Sequence, residues 1–298
     1  MGRTIACANQ KGGVGKTTTV VNLGAYLSLA GRRVLVLDLD PQGNATSGLG
    51  IDRTQLERST YDVLLGDTPL GDVVVSTGLE RLSLAPSTIA LAGADVELAA
   101  ESGRERRLLR SLRPFVAAYD DVLIDCPPSL GLLTVNALTA ADAVLVPVQC
   151  EYYALEGLGQ LIGTIDLVRD HLNPTLSIEG AVLTMFDART NLAAQVVDEV
   201  RRNLGPAVYR TVIPRSVRLS EAPSYGQPIA TYRPDSKGAA AYDTFAREYL
   251  ERSGSAVRDG AILDPVRSDV PAASGIGEIG FANRPDAARM PQLAGVER

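Results

Sequence analysis

The stretch Lys11-Gly12-Gly13-Val14-Gly15-Lys16-Thr17-Thr18 lies between two segments with different patterns. Residues 4–8 before it form a short apolar run typical of a buried strand, and residues 17–30 after it carry apolar side chains at helical spacing. Glycine lets the backbone bend so that successive N–H groups face one point, and the positive N-terminus of the following helix faces the same point. The stretch therefore predicts a phosphate-binding loop between a strand and a helix.

Three side chains of this loop have the chemistry that a bound nucleoside triphosphate needs. Lys16 can reach the β- and γ-phosphates, and the Thr17 hydroxyl can ligate Mg²⁺. Lys11 adds a second cation, and the usual motif fails at one position, where Gln10 stands in place of glycine. The alternative is a glycine-rich turn with incidental lysines. The predicted nucleotide-binding residues of the loop are Lys11, Gly12, Gly13, Val14, Gly15, Lys16, Thr17 and Thr18.

Lysine is scarce elsewhere in the chain, which favours the functional interpretation. Of the 29 basic residues in the 298-residue chain, only Lys11, Lys16 and Lys237 are lysines. The single histidine argues against histidine triads and histidine metal sites, and the three cysteines lie far apart, with no CxxC pair for zinc. No apolar run reaches the roughly 18 residues of a membrane-spanning helix, and no signal-type N-terminus is visible. We therefore expect a cytoplasmic protein.

Apolar strands alternate with helical segments along the chain. Strands are predicted at residues 33–38, 73–75, 82–84, 122–125, 143–148, 178–185 and 208–213, and helices at 104–118, 133–139, 155–171, 192–204 and 238–252, with a loop at 40–50. This alternation predicts an α/β fold with a doubly wound, mostly parallel sheet and helices on both faces. We expect one domain over residues 1–251. Residues 252–298 show no sustained period and predict a mostly disordered C-terminal tail, with a partly docked arm as the alternative.

Aspartates follow two of the predicted strands. Asp38 and Asp40 come at the end of the strand at 33–38, and Asp125 ends the strand at 122–125. In such sheets the carboxyl ends of the strands face the ligand crevice. Asp125 is therefore placed as a carboxylate that holds Mg²⁺ or its waters, together with Thr17. The alternative is that these aspartates cap turns or helices.

The charge of the chain is unevenly distributed. The net charge is −6, yet residues 201–233 contain six arginines against one acid, Glu221, which gives a local charge of +5. Arginine contacts to phosphates give an affinity for DNA that does not depend on base sequence and weakens with salt. The functional interpretation is a local DNA-binding patch. For Arg201, Arg202 and Arg218 a solvated helix face is the alternative, and for residues 104–113 the choice lies between such a face and a partner contact.

Five motifs together resemble one family. They are KGGVGKTT at 11–18, DLDPQGNATSGLG at 38–50, IDCPPSLGLLTVNAL at 124–138, LTMFDARTN at 183–191 and VIPRSVRLSEAPSYGQPI at 212–229. They are similar to the ParA (Soj-type) chromosome and plasmid partitioning ATPases, P-loop NTPases with a deviant Walker A loop, over roughly residues 3–250. The resemblance implies that Lys11 reaches across a sandwich dimer to the partner's ATP. It also implies that Lys16 binds phosphate and that Asp40 positions the attacking water, so Lys11, Lys16 and Asp40 are the implied catalytic residues.

The resemblance also implies how the protein acts. ATP joins two copies into a homodimer, and matching arginines, here Arg189 and Arg218, bind nonspecific double-stranded DNA. Pro214 and Arg215 are implied to lie near the nucleotide. A ParB-type centromere-binding protein then triggers ATP hydrolysis and release. The implied function is that of a Mg²⁺-dependent, nonspecific DNA-binding ATPase of chromosome or plasmid partitioning, associated with the nucleoid in the cytoplasm and not with a membrane.

Two other functions share this kind of loop. A membrane-associated division-site regulator of the MinD type would carry a basic amphipathic C-terminal helix, and the charge-balanced tail shows none. A metabolic synthetase or a cluster-carrying reductase would need a substrate pocket or paired cysteine ligands, and the sequence makes neither evident.

Overall fold

The computed structural model describes residues 2–151 and 154–254, and this part of the chain is built on one eight-stranded sheet. The strands are β1 (Arg3–Cys7), β2 (Val34–Asp38), β3 (Val75–Ser76), β4 (Leu82–Ala85), β5 (Asp121–Asp125), β6 (Ala143–Gln149), β7 (Ser177–Phe186) and β8 (Val208–Pro214). Their spatial order is β3-β4-β2-β5-β1-β6-β7-β8. All neighbouring pairs are parallel except β3 with β4. The predicted doubly wound, mostly parallel α/β fold is confirmed.

Helices connect the strands and cover the sheet. They are α1 (Lys16–Leu29), α2 (Asn44–Gly48), α3 (Thr60–Leu65), α4 (Ala94–Glu97), α5 (Arg107–Leu112), α6 (Leu132–Ala140), α7 (Ala154–His171), α8 (Asn191–Leu204), α9 (Val217–Glu221), α10 (Ile229–Tyr232) and α11 (Lys237–Arg252). No described helix is long and apolar enough to cross a membrane. The predicted tail falls almost wholly on residues 255–298, which lie outside the described residues.

Two sequence-based predictions of local structure were wrong. Residues 104–118 do not form one helix, because α5 is a short helix with 3-10 turns at Arg104–Arg106 and Val116–Ala118. Pro114 follows α5 closely, and because proline has no N–H to donate, the series of helical hydrogen bonds is interrupted at this residue. The predicted loop at 40–50 contains α2, whose backbone and side chains are hydrogen-bonded to the end of β2.

The central strands are covered on both faces because successive side chains point to opposite sides of the sheet. In β2, Val34 and Val36 pack into one core with α1 and α11, whereas Leu35 and Leu37 pack into the other core with α5, α6, α7 and α8. Both β2 and β5 are buried along their whole length. This two-sided burial explains the near-continuous apolar runs in the sequence.

Parallel register brings the carboxyl ends of three strands together. Cys7 of β1 lies opposite Asp125 of β5, and Asp125 lies opposite Asp38 of β2. The loop after β1 leads directly into α1 and therefore stands over the same edge of the sheet. The fold thus gathers the glycine-rich loop and the strand-end aspartates in one place.

The edge strand β8 depends on one buried carboxylate of α11. Glu248, whose side chain is only 4% exposed, accepts hydrogen bonds from the Arg210 and Thr211 backbone N–H groups at 2.7 and 2.9 Å and from the Thr211 hydroxyl at 2.7 Å. Glu248→Ala leaves these donors without their partner, and we expect the free energy of unfolding to fall by about 2–3 kcal/mol. Glu251→Ala, at an exposed position on the same helix, should cost less than about 1 kcal/mol. Urea denaturation measures both, and equal losses would contradict the assigned role.

Candidate active site

The loop between β1 and α1 forms an anion cradle. Gly15 precedes α1 with φ 89° and Gly13 has φ 74°, left-handed conformations that suit glycine. The N-terminus of α1 has no side-chain cap and no acidic residue in its first turn. Its N–H groups are therefore available to a bound anion, as the sequence predicted.

Two residues outside the recognised motif hold this loop in shape. The Asn9 side chain accepts from the Lys11 N–H at 3.0 Å and donates to the Pro147 carbonyl at 2.7 Å. The Thr184 hydroxyl of β7 donates to the Val14 carbonyl at 2.8 Å. Sequence reasoning missed both residues. The position of Asn9 directly before the loop could have indicated its role. Nothing in the sequence indicates the role of Thr184, because the order of the strands brings it to the loop.

The two lysines of the loop have different surroundings. Lys16 is 6% exposed and its ammonium donates to the Lys11 carbonyl at 3.2 Å, so its side chain curls over the loop. The Lys11 side chain is 37% exposed and its ammonium lies 3.1 Å from a carboxylate oxygen of Glu151. The Lys16 ammonium thus lies within the loop, whereas the Lys11 ammonium lies at the protein surface.

Asp38 and Asp40 have separate structural surroundings although they are two residues apart. Asp38 is fully buried and accepts from the Thr46 N–H at 2.8 Å, the Thr46 hydroxyl at 2.7 Å and the Asp40 N–H at 3.1 Å. Burial raises the pKa of Asp38 to about 6, although the hydrogen bonds from Thr46 act in the opposite direction. Asp40 accepts from the Gln42 N–H at 2.9 Å, and its carbonyl accepts from the Ser87 hydroxyl at 2.7 Å. Asp38 therefore fixes the backbone that presents Asp40.

Asp125 is a buried carboxylate without a hydrogen-bond partner among the described residues. Burial, followed by the neighbouring Asp38, raises the pKa of Asp125 well above its ordinary range, while the nearby Thr17 hydroxyl and Lys16 ammonium lower it. An isolated buried charge is costly unless a cation or hydrogen bonds compensate it. Two carboxylate oxygens without hydrogen bonds, beside a threonine hydroxyl, fit the oxygen ligands that Mg²⁺ prefers.

A cavity of about 290 Å³ adjoins the loop on the side of β7 and β8. Its lining includes Gly15, Thr18, Thr184, Pro214 and Arg215. The Arg215 N–H donates to the Phe186 carbonyl at 2.9 Å, which joins the segments that follow the two strands. The structure thus brings Pro214 and Arg215 beside the glycine-rich loop.

Arg189 and Arg218 follow the adjacent strands β7 and β8 and are exposed. Arg189 lies 2.7 Å from a carboxylate oxygen of Asp187 with 86% of its side chain exposed, and Arg218 lies 2.7 Å from Glu221 with 50% exposed. The hydrogen bonds from Arg189 hold the pKa of Asp187 well below its ordinary range. Both arginines are therefore accessible, and each already has an anionic partner within its own segment.

The count of +5 over residues 201–233 overstates the local charge. Arg202 pairs with Glu199 at 2.6 Å, and Arg210 pairs with Glu251 at 2.9 Å. Arg201 donates to the Arg210 carbonyl. The carboxylates lie outside the counted segment, so a linear count does not include them. These contacts favour the solvated-face interpretation for Arg201 and Arg202.

Asp125→Asn should stabilise the nucleotide-free protein at neutral pH, because it removes a buried carboxylate that accepts no hydrogen bond and whose ionisation burial and Asp38 disfavour, and it keeps the shape of the side chain. We expect the free energy of unfolding at pH 7 in EDTA to rise by on the order of 1–3 kcal/mol. A carboxyl whose pKa is higher in the folded state than in the unfolded state costs stability as the pH rises between the two values. The gain should therefore shrink as the pH falls to about 4.

Chemical denaturation at the two pH values measures this difference. Asp52→Asn, at an exposed residue that caps a 3-10 turn at Arg53–Gln55, is the control and should change stability by less than about 1 kcal/mol. An Asp125→Asn variant no more stable than the wild type at pH 7 would contradict the conclusion that ionisation of Asp125 is disfavoured in the folded protein.

Comparisons with known proteins agree with the geometry. A family model described as an AAA domain matches residues 2–178. The chain is 58% identical over 248 residues to the sporulation initiation inhibitor protein Soj of Bacillus subtilis, covering 83% of this chain and 98% of that protein. It is 55% identical over 252 residues to the chromosome partitioning protein ParA of Myxococcus xanthus, covering 85% of this chain and 89% of that protein.

Solved structures of similar proteins have the same fold. A cobyrinic acid a,c-diamide synthase of Mycobacterium smegmatis with bound ADP and magnesium is similar with a TM-score of 0.75 and 44% identity, covering 86% of this chain and 96% of that chain. The cell division ATPase MinD of Pyrococcus furiosus is similar with a TM-score of 0.69 and 27% identity, covering 84% and 99%. Together with the anion cradle and the strand-end aspartates, the high identity over nearly the whole described part shows that the chain belongs to the Soj/ParA family of chromosome-partitioning ATPases.

Proposed function

We propose that the protein is a Mg²⁺-dependent ATPase that binds nonspecific DNA as an ATP-joined homodimer and acts in chromosome or plasmid partitioning. The observation that carries the proposal is the buried Asp125 carboxylate, which accepts no hydrogen bond from the described residues and lies beside Thr17, near a helix N-terminus that lacks a side-chain cap. A site with an anion cradle and an unsatisfied carboxylate favours a ligand that brings phosphate and a divalent cation together. The solved synthase from Mycobacterium smegmatis holds ADP and magnesium on the same fold.

Residues 11–18 bind the phosphates, and Pro214 and Arg215 border the nucleotide from the adjoining cavity. Thr17 and Asp125 hold Mg²⁺, which supplies positive charge to the β- and γ-phosphates when it is bound. Asp40 orients the attacking water, and Lys16 offsets the charge that develops on the γ-phosphate. Lys11, which stands at the surface beside Glu151, contacts the nucleotide of the second subunit.

Removal of the buried loop lysine should weaken nucleotide binding and abolish turnover. Lys16→Ala takes away a charge that the fold holds over the loop, and we expect ATP affinity to fall at least about tenfold, with loss of turnover. Lys237→Ala, which removes the lysine at the start of α11, should behave like the wild type. Calorimetry and phosphate release measure both variants. Wild-type affinity and turnover in Lys16→Ala would show that the site is misassigned.

Asp40→Ala should separate ATP binding from hydrolysis. The loop and its lysines remain, so ATP still binds, but turnover should fall by about 100-fold or more because water is no longer oriented. The variant should therefore accumulate as an ATP-bound dimer, which light scattering detects. Asp52→Ala, in the exposed turn that follows, serves as the control. A monomeric Asp40→Ala protein in saturating ATP, or unchanged turnover, would contradict the role given to Asp40.

DNA binding is assigned to Arg189 and Arg218. They stand on segments that follow adjacent strands at the same edge of the sheet as the nucleotide site, so closure of a dimer at that edge brings two copies of each near one another. Neither lies on a helix long enough to read a DNA groove, which favours contacts to phosphates alone. The expected binding is independent of base sequence.

Charge reversal at these arginines should weaken DNA binding while leaving ATP-driven dimerisation intact. For a dimer, the slope of log affinity against log salt should fall by about 2 for Arg218→Glu and by about 4 when Arg189→Glu is added, since each lost phosphate contact releases one counterion fewer. Arg81→Glu, before β4 at the opposite edge of the sheet, is the charge-matched control. A double variant that dimerises and binds DNA with the wild-type slope would place the DNA surface elsewhere.

A ParB-type centromere-binding protein is the proposed partner that accelerates hydrolysis and releases the nucleoid-bound dimer. Turnover measured with DNA and with the cognate centromere-binding protein tests this step. Two similar solved structures belong to proteins with other functions, a cell division ATPase and a metabolic synthase. Pelleting with anionic vesicles, run beside the DNA-binding assay, separates the first of these from partitioning, and ATP-dependent DNA binding separates the second.

A further inference from the structure

Two glycines bring the backbones of two distant segments into direct contact. Gly50 has φ +82° and Gly226 has φ +62°. A Cβ atom on Gly226 would lie 2.7 Å from the Cα atom of Gly50, and a Cβ atom on Gly50 would lie 2.9 Å from the Gly226 carbonyl oxygen. Both distances are shorter than a carbon atom tolerates. The two backbones can therefore approach this closely only because neither residue has a side chain.

Gly50 ends a segment that begins at the nucleotide site. Asp40 and α2 are tied to one another through Asp38, which accepts from the Asp40 N–H at 3.1 Å and the Thr46 N–H at 2.8 Å. The Gly50 N–H donates to the Ser47 carbonyl at 3.0 Å at the end of α2. Residues 40–50 therefore form one hydrogen-bonded unit that connects Asp40 to Gly50.

Gly226 ends the segment that carries Arg218. The helix α9 continues without a break into a 3-10 turn at Ala222–Tyr225, and the Ala222 N–H donates to the Arg218 carbonyl. The Gly226 N–H donates to the Pro223 carbonyl at 3.1 Å. Residues 217–226 are thus a second hydrogen-bonded unit, in contact with the first at its last residue.

Beside the glycine contact the two units also pack against one another: α2 contacts the 3-10 turn, and Leu49 lies in one buried apolar cluster with Leu219 and Ala222. A cavity of about 390 Å³ adjoins this packing, and its lining includes Thr17, Asn44, Ser47, Leu219 and Pro223. At the Gly50–Gly226 contact backbone meets backbone, so there the two units are held at a fixed distance, and the adjoining cavity is the space that both units border. This arrangement suits a pivot between two small bodies.

We propose that the Gly50–Gly226 contact is the pivot through which the nucleotide at Asp40 sets the position of Arg218, so that both glycines are positioning residues for ATP-controlled DNA binding. The inference rests on the proposed function. Coupling between two sites is reciprocal, so DNA bound at Arg218 must in turn favour the arrangement of residues 40–50 that ATP favours. Loss of the contact should uncouple the two sites without removing either.

The variant Gly226→Ala tests the pivot, and Gly31→Ala is its matched control. Gly31 has φ +84° with nothing within 4 Å, so alanine there meets the same backbone strain but no clash. DNA affinity is measured for each protein with ADP and with a nonhydrolysable ATP analogue, and dimerisation is followed by light scattering. In Gly226→Ala the ratio of the two affinities should fall at least about fivefold toward one, while analogue binding and dimerisation persist. Gly31→Ala should keep the wild-type ratio.

The outcomes separate this inference from the proposed function. A wild type whose DNA affinity does not depend on the nucleotide overturns the proposed function and the pivot together. A nucleotide-dependent wild type with the same ratio in Gly226→Ala, or an equal loss in Gly31→Ala, overturns the pivot alone. Hydrogen exchange on the wild-type protein tests the pivot even if Gly226→Ala does not fold. The analogue without DNA should slow exchange in residues 217–226 as well as in 40–50, and an effect confined to 40–50 overturns the pivot.

Discussion

The parallel register of β1, β2 and β5 is the constraint on which the site depends. It places Cys7, Asp125 and Asp38 side by side at one edge of the sheet, under the N-terminus of α1. Two carboxyl groups in so dry a place repel one another, and each needs compensation. Asp38 receives it as hydrogen bonds from Thr46 and the Asp40 backbone, whereas Asp125 accepts no hydrogen bond from the described residues and has only the nearby Thr17 hydroxyl and Lys16 ammonium. The folded chain therefore places a carboxylate without hydrogen bonds next to a helix N-terminus without a side-chain cap. A cation and an anion bound together would compensate both groups.

The neighbouring residues Asp38 and Asp40 have different surroundings, which agrees with the different roles proposed for them. Asp38 uses its acceptors to hold α2, and in doing so it fixes the backbone of Asp40 and Thr46. The Ser87 hydroxyl and the Gln42 N–H then complete the surroundings of Asp40. A carboxylate that positions water must itself be held still, and a buried neighbour with its acceptors satisfied provides that rigidity.

The two exposed arginines, Arg189 and Arg218, already have anionic partners in the folded chain. Arg189 and Arg218 each hold a carboxylate of their own segment, so a phosphate that binds either of them replaces an existing partner. The gain per contact is then smaller than for an unpaired arginine, and several contacts must form together for tight binding. In the proposed mechanism, a dimer supplies them by doubling the surface. The proposal thus connects ATP, through dimer closure, with the affinity for DNA.

The sequence by itself determined the fold class, the phosphate-binding loop and the strand-end aspartates, because each depends on residues that are neighbours in the chain. Glycine spacing, apolar runs and the placement of Asp38, Asp40 and Asp125 after strands are local properties. Only the tertiary structure decided which partners these residues meet. Glu151 beside Lys11, Thr184 under the loop, and Gly226 against Gly50 come from distant positions. Strand order and long-range packing create these contacts, and the same packing supplies the carboxylates that the linear charge count left out.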